Sequence, residues 1–118
     1  MSKIVQAANA MIANRDLISP VIMNEDEYFF VYNKKHKWSM KLQDTGLYSL
    51  WFYPGQESIE DLASLPPGQW NGSVPMIHYS DGEIGTREAK ATFAELYTIV
   101  KERLYGIDAA LDDIIGAG

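Results

Sequence analysis

The chain has 118 residues, no cysteine and a net charge of −6. One domain of this length can bury roughly two thirds of its unfolded surface, so it needs no disulfide or metal to fold, and thiolate chemistry and cysteine-ligated zinc are excluded. An acidic balance also disfavours direct binding to a nucleic-acid backbone, which needs a Lys/Arg surface.

At the N-terminus, Ile4, Val5, Ala8, Met11 and Ile12 recur at helical spacing, which predicts an amphipathic helix over about 2–14. The segment Met1–Gln6 lacks a signal peptide's long apolar run, and no stretch approaches the ~20 apolar residues of a membrane span. A cytoplasmic location is therefore the default expectation. Ser19-Pro20 separates the helix from Val21-Ile22-Met23, a short apolar run read as a peripheral strand, and Asn24-Glu25-Asp26-Glu27 reads as a polar turn.

Nine of the fourteen aromatic residues then fall between Tyr28 and Tyr53, which fixes the fold class better than any other feature. Tyr28 to Tyr32 and Leu47 to Tyr53 are apolar on both faces. Between them, Trp38, Met40 and Leu42 alternate with Lys37, Ser39, Lys41 and Gln43, the period of two of a strand with one buried face. Aromatic side chains suit a pleated surface. Asn33-Lys34-Lys35-His36-Lys37 predicts a polar hairpin loop with His36 in solvent, and Asp44-Thr45-Gly46 a tighter one in which Gly46 takes a positive φ. The expectation is an antiparallel meander of three strands.

After Pro54-Gly55, Ser58 caps a short helix from Ile59 to about Leu65, with Asp61 as its capping-box partner. Pro66-Pro67-Gly68 stops it, and Trp70 follows in a loop. Val74 to Tyr79 suits a strand that begins after Pro75 or lies at a sheet edge. Asp81-Gly82 turns the chain into a long helix capped by Thr86. On that helix Phe93, Tyr97, Val100, Leu104, Ile107, Leu111 and Ile114 are spaced 4, 3, 4, 3, 4, 3, an unbroken heptad seam. A continuous helix to residue 115 would be about 43 Å long, against a domain roughly 30 Å across. It must protrude or break, and Gly106 followed by Asp108, a good N-cap, is the natural break, with both pieces on the sheet. The alternative is a continuous helix pairing with a second subunit through the seam, a homodimer.

The fold class is therefore α+β: an antiparallel β-meander of three to five strands packed on an N-terminal helix and a long C-terminal helix, helices covering one face, in a single domain over 1–118. No catalytic residue set, metal site or cofactor motif reads out. His78, Ser80 and Asp81 are neighbours on a strand end and diverge rather than converge as a triad requires. Gly82 to Thr86 leads into a helix N-terminus, but Asp81 and Glu83 would repel a bound phosphate.

Charge is segregated. No Lys or Arg lies between Leu42 and Thr86, while Asp44, Glu57, Glu60, Asp61, Asp81 and Glu83 do; the other ten acidic and ten basic residues cancel. The expected function is a small non-enzymatic interaction module, of the inhibitor, antitoxin or immunity type. It would dock a basic protein through those six acids, with Trp70 as the aromatic anchor. The alternative is a small-molecule binder or enzyme with a pocket between the sheet and the C-terminal helix, using Tyr28, Tyr32, Tyr48, Trp51, His78 and Tyr97. A third reading is a structural subunit assembled through the heptad seam.

Overall fold

A computed structural model describes residues 2–65 and 74–117. Ser2 caps α1 (Lys3–Ala13) by accepting the Val5 N–H at 3.3 Å, and the helix buries Val5, Ala8 and Met11. A 3-10 turn, Arg15–Leu17, leads into the sheet. Its strands are β1 (Ile18–Asn24), β2 (Glu27–Tyr32), β3 (His36–Leu42), β4 (Tyr48–Tyr53) and β5 (Ile77–Ser80). They lie in chain order, every neighbour antiparallel, so the meander runs to five strands and the class is α+β. β5 starts beyond Pro75 and is an edge strand, as a proline with no N–H for the ladder requires. β1 is the other edge; its register shifts between Ile18 and Val21, where Pro20 sits.

The β2–β3 connection is tighter than the sequence suggests. Asn33 and Lys34 both take positive φ (56° and 57°), and the Lys35 N–H donates to the Tyr32 carbonyl at 3.2 Å. The positive φ pair and that bond make a primed turn, and because Tyr32 pairs with His36 only Asn33, Lys34 and Lys35 connect the strands. It places His36 and Lys37 inside β3 rather than in a loop. His36 is half-buried, its ring 6.3 Å from that of Phe52, not in solvent.

Helices cover both faces of the sheet, not one. α1 and α4 (Arg87–Tyr105) lie on the face carrying Tyr28, Phe30, Trp38, Met40 and Leu50, where Phe93, Leu96 and Val100 complete a closed core. Ser58-capped α2 (Ile59–Ala63) covers part of the other face with Ile59 and Leu62, against Phe29 and Tyr53. Asn24 Nδ2 ties the end of α2 to β1 by donating to the Ala63 carbonyl at 2.7 Å.

The segment read as a turn after β5 forms one helical turn, α3 (Asp81–Ile84), and Thr86 then caps α4 by accepting the Ala89 N–H at 3.0 Å. The long helix does break at Gly106, which takes the left-handed conformation (φ 65°) as its C-cap. α5 (Ile107–Ala117) starts directly after it, so Asp108 lies within the helix rather than capping it. Nor does α5 rest on the sheet: Leu111, Ile114 and Ile115 are 47, 67 and 75 % exposed. The molecule is accordingly long, 51 × 33 × 27 Å.

Candidate functional site

The sheet register decides which of the six acids can act together. Asn24, Glu27, Lys41, Ser49 and Ser80 align across the five strands, so the β1–β2 turn, the β3–β4 turn and α3 share one end of the sheet. Exposed Glu25, Asp26, Asp44 and Glu83 gather there. Among the described residues Lys41 is the one base on the strands and turns of this end, and it faces Asp26 at 3.6 Å. Glu25 and Asp26 were no part of the expected set, because they fall outside the stretch without lysine or arginine; only the register brings them alongside.

Asp81 reaches the same end but turns inward. It is 3 % exposed, and one carboxylate oxygen accepts the Tyr48 backbone N–H at 3.0 Å, joining α3 to the start of β4. It belongs to the fold, not to a docking surface. Glu57, Glu60 and Asp61 lie elsewhere, at and just before α2. The Lys37 ammonium donates to the backbone carbonyls of Gly55 and Glu57, and Glu60 shares a surface cleft with Lys34, Lys35 and Lys37. The lysine hairpin thus offsets part of the acidic segment within the molecule. Trp70, the expected anchor, lies outside the described residues.

The residues expected to line a sheet–helix pocket divide three ways. Tyr97 bridges Tyr28 and Tyr48 beneath α4, with ring centroids 5.5 and 5.3 Å apart. Burial raises the Tyr28 and Tyr97 hydroxyls above their ordinary value of 10.0. Trp51 and His78 stack on the opposite face at 4.9 Å. Tyr32 lines a third place, a groove of about 710 Å³ between α1 and the sheet. Ile4, Met11, Trp38, Phe52, Ile77 and Tyr79 form its walls, Lys3 and His36 border it, and among the described residues no carboxylate lines it. α4 contributes nothing to this groove; under α4 the space is filled by Phe93, Leu96 and Val100. The buried Trp38 indole N–H has no hydrogen-bond partner among the described residues.

One polar cluster escaped sequence reasoning. Ser39 Oγ lies 2.6 Å from Glu27 Oε2 and 2.7 Å from the Tyr53 hydroxyl. With one proton on each hydroxyl, Tyr53 donates to Ser39 and Ser39 to Glu27. Burial, the largest influence, raises Glu27 above its ordinary 4.5 against the opposing Ser39 bond and Lys41 charge, and raises the Tyr53 hydroxyl as well. The alternation placed Ser39 on the face away from Trp38 and Met40 correctly. What it could not show is that this face, too, is covered at Ser39.

Among the described residues, no group of three or more His, Cys, Asp or Glu could hold a metal ion, and no helix is long and apolar enough to cross a membrane. Comparison with family models, curated proteins and solved structures finds no match to this chain.

Proposed function

We propose that the chain is a small non-enzymatic interaction module that docks a basic protein through the acidic end of its sheet, in the manner of an inhibitor, antitoxin or immunity protein. The observation that carries this reading is the convergence of Glu25, Asp26, Asp44 and Glu83 from two turns and α3, against Lys41 alone on the strands and turns there. Such a patch attracts a cationic surface and speeds encounter, and salt screens it. Relative to the sequence expectation, the surface loses Asp81, sets Glu57, Glu60 and Asp61 apart, and gains Glu25 and Asp26.

The test is affinity capture of tagged chain from its native lysate at low and high salt, run beside two charge-reversed forms. Asp44→Lys/Glu83→Lys neutralises the patch by setting two lysines against Glu25 and Asp26, and Glu60→Lys/Asp61→Lys alters α2 only. A stoichiometric basic partner, lost at high salt and lost with the first variant but kept by the second, supports the reading. Retention by both variants, or capture indifferent to salt, sinks it.

A further inference from the structure

Two apolar surfaces lack cover among the described residues, and they match each other. One is the face of α5 formed by Leu111, Ile114 and Ile115, at positions i, i+3 and i+4. The other is the groove between α1 and the sheet, walled by Met11, Trp38, Phe52 and Ile77. We propose that α5 of one copy seats in this groove of a second copy, and reciprocally, to make a two-fold dimer.

Form supports the match. An amphipathic helix recognised through anchors at i, i+3 and i+4 is a recurrent mode of docking into an apolar groove. At 1.5 Å per residue α5 is about 16 Å long, and the groove of about 710 Å³ lies in the usual range for clefts that enclose a ligand, ~300–1,000 Å³. With two identical contacts, each need bury only about half of the ~1,200–2,000 Å² typical of a stable interface.

Charge supports it independently. α5 carries Asp112 beside its apolar face, three positions from Ile115, and contains no lysine or arginine. Among the described residues the groove has no carboxylate in its lining, and it is bordered by Lys3 and His36. The distal half of the heptad seam thereby receives an explanation.

The occupant is a second copy rather than the chain's own α5. α4 ends near edge strand β1, where Arg103 Nε donates to the Ile18 carbonyl at 3.2 Å, whereas the groove borders the opposite edge strand through Ile77 and Tyr79. α1 stands between α4 and the groove, and Gly106 alone joins α4 to α5. The proposal does not depend on the acidic docking surface, which lies at the other end of the sheet.

Sedimentation of the full chain across low to high micromolar concentration tests it. The expected result is reversible association from 13.3 kDa to twice that mass. Ile114→Asp/Ile115→Asp should weaken association on the order of a hundredfold or more with an unchanged circular dichroism spectrum, because both side chains are exposed in the monomer. Ala10→Glu, at an exposed position of α1 within the groove, should also weaken it by placing a carboxylate in an apolar contact flanked by Asp112. An equimolar mixture of the two variants should recover part of the dimer, since one keeps an intact helix and the other an intact groove. A wild-type chain that stays monomeric overturns the proposal. So does a dimer that ignores Ala10→Glu, which would mean that α5 pairs with α5.

Discussion

α4 and α5 carry one uninterrupted spacing and meet opposite surroundings. Phe93 and Val100 are fully buried over the sheet, Tyr97 and Leu104 partly so, while Leu111 and Ile114 project into solvent; the side chain of Ile107 lies outside those described. The same apolar period is thus core in one helix and surface in the next. Periodicity specifies that a helix has an apolar stripe; it does not specify what the stripe meets. Gly106 makes the difference, because its left-handed backbone ends α4 at the sheet's edge and sends α5 away from it.

Replacing one residue on each side of the break gives the largest contrast. Phe93→Ala removes a fully buried ring from the closed core and is expected to cost about 3–5 kcal/mol. Ile114→Ala, read in the monomer at low concentration, should stay within about 0.5 kcal/mol. Urea titration of both variants measures the pair. Equal losses would mean that α5 is covered within its own chain, which would also remove the helix-exchange dimer.

Gly106→Ala acts on the break itself. Nothing lies within 4 Å of an added Cβ, so the cost is purely that of φ 65° for an L side chain, about 1–2 kcal/mol. A straightened helix would escape that cost by redirecting α5. The expected outcome is a modest loss of stability together with weakened self-association, read by urea titration and sedimentation on one sample. Loss of stability with association intact would show that the direction of α5 is immaterial.

How much of this was legible in the sequence follows the same division. Local signals were readable wherever the physics is local: the alternation through Trp38 and Met40, the caps at Ser58 and Thr86, the start of β5 after Pro75 and the break at Gly106. What depended on tertiary placement was not. Asp81 reads as one more surface acid and is buried against the start of β4. Glu25 and Asp26 read as turn residues and become neighbours of Asp44 and Glu83 only through the register. The groove beside α1 has no linear signature, because its walls come from α1 and four strands.

Capping sharpens the comparison at smaller scale. α4 begins with Thr86 satisfying the Ala89 N–H, whereas α5 follows Gly106, which has no side chain to cap it. Thr86→Ala should cost about 1 kcal/mol and speed hydrogen exchange at Ala89, leaving α5 unaffected. Exchange rising equally through α5 would mean that the two helices fray as one unit and that Gly106 does not separate them energetically.

The smallest effect concerns the sheet's second face, where covered and open surface also meet. Glu27 is only partly exposed, and burial holds its carboxyl above the ordinary 4.5. The folded chain therefore keeps the proton to higher pH than the unfolded chain does. By linkage, this group's contribution to stability falls as pH rises from about 4.5 through its folded value. Glu27→Gln removes the charge and retains an oxygen to accept the Ser39 hydroxyl. The variant should melt at higher temperature than the parent at pH 7, with the gap closing as pH falls below 4.5. Lys41 and the charge-assisted Ser39 bond work in the other direction, so the sign of the difference at pH 7 decides which wins. A variant that melts lower there would show that the Tyr53–Ser39–Glu27 chain stabilises the carboxylate more than burial penalises it, and that this face of the sheet is built around a charge.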